Sequence, residues 1–306
     1  MYCVLIDLSQ LSTPALSVII PTFNNVAVLT ECLENWQRFA ANQPVEIVVI
    51  EDGCRDATPQ HLESLARTPW GQRHLRWFHE GDLHELRCTN RGLREARAPL
   101  AMAWQDDMFL RRPWLVAELI ATFAAYPDLG LLALSRGLNC YPFDDPIARW
   151  EDLTDWRRLQ STIGDAPLNW CRLQEVDIVI RPWVVRRVCL ETVGYLDEAF
   201  APTEWDEADL AFRIRQTGWK IATHGYERLG AYFHLGSTTL SKGFSEAYKQ
   251  QVLRNGRLFF ERWDAAIRAE SARPRKTWWR RTTLAGWVHT ASRAGLALRG
   301  LLRPST

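Results

Sequence analysis

Glycine-rich phosphate loops are missing from this 306-residue chain. Neither G-x-G-x-x-G nor G-x-x-x-x-G-K-[ST] occurs among its 17 glycines, which removes most of the case for a dinucleotide fold or a P-loop enzyme. A G-x-S-x-G nucleophile elbow is also absent. His84-Glu85-Leu86-Arg87-Cys88 lacks the second histidine of a zinc helix. Cysteine is scarce, odd in number and scattered (Cys3, Cys32, Cys54, Cys88, Cys140, Cys171, Cys189), with no C-x-x-C pair. A disulfide framework is therefore not expected, and a reducing compartment is. No basic segment leads into an apolar run as in a secretory signal, and no apolar run reaches the length of a membrane span. The expected location is cytoplasmic, with room for peripheral attachment at the inner face of the membrane.

Charge of one sign is missing overall but not locally. The net charge is +1, with 47% hydrophobic and 24% charged residues, an ordinary soluble composition. From Ser271 to Thr306, however, there are eight Lys or Arg and no acid, so a basic tail follows an acidic body. Within that tail Leu284, Trp287, Val288, Ala291, Ala294, Leu298 and Leu301 recur at helical spacing beneath Trp278-Trp279. This is the profile of a helix lying on an anionic membrane surface, or of a basic helix packing on the acidic body.

What is present alternates between strand and helix patterns. Leu16–Ile20 is an apolar run closed by Pro21, and Val26, Leu29, Cys32, Leu33, Trp36 and Phe39 follow at helical spacing after Asn24 or Asn25 as N-cap. Glu46–Ile50 is a second strand, Leu75–Phe78 a third, Leu100–Trp104 a fourth and Leu129–Leu134 another, with Val176–Ile180 resuming the pattern. Helices are expected after Thr58-Pro59 and Pro113, and from Asp209 to Thr217 with Gly218 as a stop. The reading is an α/β fold with a mostly parallel central sheet and helices on both faces. Its expected boundaries are an N-terminal extension over 1–14, one domain over 15–262 and the tail over 263–306. Tyr141–Trp170 loses periodicity and is expected to be a long functional loop.

Acids collect just past two of these strands: Glu51-Asp52 after the second and Asp106-Asp107 after the fourth. Strand C-terminal ends line the crevice of an open parallel sheet. Either pair alone reads as solvated loop or helix cap. Two facing one crevice repel unless a cation joins them, and a divalent ion bridging to a diphosphate does so. A third cluster, Glu204-Trp205-Asp206-Glu207-Ala208-Asp209, opens a helix. Acids are favoured there by the helix dipole, but four in six residues leave room for a catalytic carboxylate.

These residues resemble glycosyltransferase family 2, of the GT-A (Rossmann-like) fold, in order from Leu16 to Thr239. Leu16 to Asn24 is similar to the family's opening strand and donor loop, and Val49-Ile50-Glu51-Asp52-Gly53 to its V-x-D-D-G/S turn. Asn90-Arg91-Gly92 with Ala96-Arg97 resembles the N-x-G…A-R helix, and Gln105-Asp106-Asp107 the D-x-D motif. Gly194 to Phe200 is similar to G-x-x-D-E-x-F, and Trp205 to Arg213 to E-D-x-D-L-x-x-R. Glu51 and Glu207 stand where the family usually has Asp, which leaves the base between Glu207 and Asp206. His234 in Phe233-His234-Leu235-Gly236 resembles the family's late histidine.

The resemblance implies a hexosyltransferase-type enzyme that uses a nucleotide-diphosphate sugar, inverts the anomeric centre and needs Mn2+ or Mg2+. It assigns Glu207, or Asp206, as general base, Asp107 and His234 to the metal, and Pro21, Thr22, Asn24, Glu51, Asp52, Arg97 and Asp106 to the donor. Trp205 is expected at the acceptor side, where Trp150, Trp156, Trp170 and Trp183 also fall. The expected partners are a nucleotide sugar and a carbohydrate or lipid-linked acceptor, with no nucleic acid. Two rivals are a sugar-nucleotide pyrophosphorylase-like enzyme, which needs a glycine-rich loop where Pro21-Thr22-Phe23-Asn24 stands, and a non-catalytic carbohydrate or nucleotide-sugar binding protein.

Overall fold

The fold is that of a computed structural model, which describes residues 13–142, 149, 159–161, 172–236, 244–274 and 276–279. The expected tail helix over 284–301 and Trp150, Trp156 and Trp170 lie outside these residues.

β1 (Leu16–Thr22) shows how the sequence builds the sheet. Successive strand side chains point to opposite faces, so Val18 and Ile20 enter one core and Ile19 the other. The first core holds α1 (Val26–Ala40), α2 (Thr58–Ala66) and α5 (Trp114–Ala125), numbered in chain order around α3 (Pro69–His74) and α4 (His84–Glu95). The second core holds α4, α6 (Arg187–Val193), α7 (Asp206–Gln216) and α8 (Glu246–Ser271). Both faces are thus covered, as the near-continuous apolar strands require.

The remaining strands of this sheet are β2 (Val45–Asp52), β3 (Leu75–Glu80), β4 (Leu100–Ala103), β6 (Leu129–Ala133), β9 (Arg172–Glu175), β11 (Trp183–Arg186), β12 (Lys220–Thr223) and β14 (Thr277–Trp279). Their order is β14-β9-β12-β6-β11-β4-β1-β2-β3. The block β4-β1-β2-β3 is parallel, and so is β6 with β12. β11 runs antiparallel between β4 and β6. Its buried run fixes that it is central but not which way it points. Two small sheets complete the fold. β7 (Gly137–Cys140) pairs with β8 (Leu159–Ser161) and β10 (Ile178–Val179), and β5 (Met108–Leu110) pairs with β13 (Tyr232–His234). Of the run expected as one strand over 176–180, only Ile178–Val179 is strand, as β10, and β9 ends just before it at Glu175.

Two quoted motifs act on each other as structure. Asn90 donates through Nδ2 to the Leu196 carbonyl at 2.8 Å and accepts from the Leu196 N–H at 2.9 Å. Arg213 of α7 donates to the Val193 and Tyr195 carbonyls at 2.7 Å, satisfying groups left open at the end of α6. α8 runs unbroken across the boundary expected at residue 262, with Ile267 buried. Beyond it, β14 pairs with β9, and Arg273 bonds Glu175 at 2.6 Å. The start of the basic tail is thus an edge strand and an ion pair on the body.

Candidate active site

The parallel strands deliver their loops to one crevice. β1 ends at Thr22, whose hydroxyl donates to Asp106 Oδ2 at 2.7 Å, and Asn25 Nδ2 donates to the same oxygen at 3.2 Å. Asn25 occupies the N-cap of α1, yet its side chain reaches Asp106 instead, and Asp56 accepts the Val26 N–H at 3.0 Å. Asn24, with φ +48°, accepts the Arg55 N–H at 2.7 Å, so the loops after β1 and β2 are laced together. Pro21 stands half-buried before them. Burial raises the Asp106 carboxyl to about 6, against the two hydrogen bonds that lower it, with Asp107 and Glu85 adding to the rise.

Asp107 and His234 come together because β5 and β13 pair, which sets Met108 opposite His234. The Leu235 N–H donates to the Asp107 carbonyl at 3.0 Å, and His234 Nε2 lies 3.3 Å from Asp107 Oδ1. Asp107 is buried and His234 half-buried. The bond to Asp107 raises the imidazole above its ordinary value.

Glu51 and Asp52 sit at the end of β2, but both are engaged. Glu51 is fully buried and accepts from the Cys54 N–H and from His79 Nδ1. Asp52 accepts from the N–H groups of Leu83 and His84 at 2.6 and 2.9 Å, anchoring the start of α4. Among the described residues, Asp52, Asp82 and His84 bring ligand atoms within 4.8 Å of one another, with Asp82 and His84 exposed on the rim.

The third cluster surrounds one cation. Arg181 Nη2 donates to Asp206 Oδ2 at 3.0 Å, its Nε lies 3.0 Å from Glu207 Oε2, and its Nη1 bonds Glu85. Glu207 also lies 3.4 Å from Trp183 Nε1. Burial pushes Glu207 up to about 8, with Asp206, Glu204 and Glu85 adding to the rise and Arg181 opposing it. Asp206 is raised too, again chiefly by burial. Asp209 points elsewhere: it bonds Arg213 and Arg262 at 2.7 Å and Trp263 at 3.0 Å, joining α7 to α8. A cleft of about 670 Å³ connects Gln105, Arg181, Asp206, Glu207 and His234, with Arg136, Glu227, Arg228 and Tyr248 on its walls.

Two expected site residues do not line this cleft. Arg97 precedes β4, and its N–H donates to Glu46 Oε1 at 2.7 Å at the start of β2. It therefore stands at the N-terminal edge of the parallel strands, the end away from the crevice. Trp205 adopts φ +67° and packs its ring on Phe259 and Phe260 of α8, with centroids 5.1 and 5.4 Å away, so it anchors that helix. Trp183 is fully buried. Arg181 and Glu85 fall in none of the quoted family motifs. The only signal for Arg181 was its place between a buried run and Pro182, and Glu85 was visible only in the failed zinc helix.

Residues 17–139 match the family model described as Glycosyl transferase family 2. Two curated relatives, both validoxylamine A glucosyltransferases, come from Streptomyces hygroscopicus subsp. jinggangensis (strain 5008) and subsp. limoneus. Each is 29% identical over 236 residues, which cover 69% of this chain and 52% or 49% of the relative. The chain thus spans about half the length of these relatives. A solved mannosyltransferase from Pyrobaculum calidifontis, in complex with GDP-Man and Mn2+, aligns over 95% of this chain and 82% of its own at 18% identity and a TM-score of 0.47. That likeness is too distant to carry a substrate or a metal across.

Proposed function

We propose, from the match of residues 17–139 to the glycosyl transferase family 2 model, that the chain transfers a sugar from a nucleotide-diphosphate sugar to an acceptor hydroxyl, with inversion and with a divalent cation. The observation that carries this is one cleft lined by Gln105, His234, Arg181, Asp206 and Glu207, with Asp107 3.3 Å from His234 and Asp106, next to Gln105, tethered by Thr22. Thr22 and Asn25 tether Asp106, which makes a polar contact to the donor in this reading. Glu51 and Asp52 act one step back, shaping the turn against which the nucleotide base would lie.

A divalent cation fits the donor set: a buried carboxylate and a half-buried imidazole offer O and N ligands, with Asp106 adjacent. Asp107 and His234 would hold Mn2+ or Mg2+. When bound, the cation supplies charge neutralisation for a leaving diphosphate. Glu207 takes the acceptor proton as the sugar is transferred, its raised affinity for a proton suiting a base that works near neutral pH. Asp206 is the less open of the two acids, its side chain only 2% exposed against 17% for Glu207.

The acceptor is a carbohydrate or a lipid-linked carbohydrate in this reading, and the basic tail is a contact to anionic lipid. Screening nucleotide sugars by thermal shift with and without Mn2+ tests the donor claim. A ligand at 100 times its Kd stabilises by about 2.7 kcal/mol. A shift for a nucleotide sugar that requires Mn2+ supports the reading, and no shift across UDP-, GDP- and dTDP-sugars contradicts it.

A further inference from the structure

No motif marks Arg181, yet it is the hub of the cleft. Its side chain is 8% exposed and meets carboxylates from two separate elements: Glu85 in the first turn of α4, and Asp206 and Glu207 in the first turn of α7. Glu204 adds a fourth acid beside them and is itself bonded by the Tyr248 hydroxyl of α8. One guanidinium cannot neutralise four carboxylates, one buried and three half-buried, and each additional negative charge makes the next harder to ionise. Its flat, forked donor set can nevertheless face three partners at once, which an ammonium cannot do with fixed geometry.

Glu85 extends the connection to the donor side. It accepts from Gln105 Nε2 at 3.3 Å and from Thr203 Oγ1 at 3.1 Å. Gln105 adjoins Asp106 and Asp107, so a continuous chain of polar contacts runs from the metal-side loop through Glu85 and Arg181 to the acids of α7.

We propose that Arg181 is a positioning residue for the transfer, holding Glu207 and Asp206 in place opposite its guanidinium and tying them through Glu85 to the loop that carries Asp106. This rests on the reading of the α7 acids as the base. Loss of the guanidinium leaves Asp206 and Glu207 beside Glu85 without the cation that opposes their rise, and the two α7 acids then bind protons more tightly. Glu207 then cannot accept one from an acceptor. Loss of Glu85 has the opposite sign, because it removes a competitor for the same cation.

The test is a pH titration of the full chain with carbon-13-labelled glutamate, the Glu207 carboxyl signal being assigned by its loss in Glu207→Gln. Arg181→Met raises the Glu207 midpoint, Arg181→Lys raises it by less, and Glu85→Gln lowers it. UDP-glucose and GDP-mannose with Mn2+ serve as turnover probes. For whichever is consumed, kcat at neutral pH falls about tenfold for each unit the midpoint rises, with donor KM little changed. If Arg181→Met does not fold, Arg181→Lys and Glu85→Gln carry the same comparison with opposite signs. A Glu207 midpoint that moves in neither overturns the proposal. Full turnover in both Glu207→Gln and Asp206→Asn overturns the base reading instead, and the titration still decides whether Arg181 controls the cluster.

Discussion

Glu207 and Asp206 stand one position apart, but only Glu207 retains an exposed edge on the cleft. Glu207→Gln preserves size and hydrogen bonding without a basic oxygen, so it should lower kcat by at least ~10²-fold and leave donor affinity nearly unchanged. The wild-type rate should fall as pH drops through about 8, where Glu207 takes up its proton. The same shift has a consequence for stability. A carboxyl raised by folding binds its proton more tightly in the folded chain, so its ionisation costs stability as pH climbs from the ordinary glutamate range towards about 8. Glu207→Gln should therefore melt higher than wild type at pH 8, and an unchanged or lower Tm would contradict the burial argument. Asp107→Ala should abolish any Mn2+-linked gain in nucleotide affinity, measured by thermal shift, and retention of that gain would remove the metal role. At this scale the acids were legible because they cluster in sequence. Arg181 was not, since its partners at 85, 206 and 207 meet only after folding.

Strand alternation and helix spacing in the first 135 residues carried most of the architecture, because each element buries its own periodic face. Gly92 is an example with a cost attached. It lies on α4 where that helix rests on β1, and a Cβ there would press into the Ile19 side chain in the core. Gly92→Ala should destabilise the fold by about 1–3 kcal/mol through overpacking, readable by chemical denaturation. A neutral result would mean that Ile19 moves aside freely. What could not be read were directions and partners. Trp183–Arg186 has the composition of any buried strand, so its antiparallel course follows only from its place between β4 and β6. Arg97 shared a motif with the α4 helix, but the chain has by then turned back to the far edge of the sheet. Trp205 followed an acid and preceded two, which suggested a cleft residue. Its left-handed backbone turns the ring onto α8 instead.

Charge is divided across the molecule, with an acidic body and a basic tail, and the tail does not begin as a free arm. β14 adds to the sheet edge and Arg273 bonds Glu175. A truncation at residue 272 would strip that edge strand, so membrane attachment is better tested by deleting 280–306. If the remaining tail binds lipid, flotation with anionic vesicles is lost in that deletion and is weakened by salt in the full chain. Equal flotation of both forms would end the idea. Among the described residues no helix is long and apolar enough to cross a membrane. The most direct measurement for the whole reading is release of nucleoside diphosphate from a panel of nucleotide sugars, followed with Mn2+ and with excess chelator. The account predicts release from at least one donor that chelator stops and that is lost in both Asp107→Ala and Glu207→Gln. Release that persists undiminished in chelator and in both variants would contradict it.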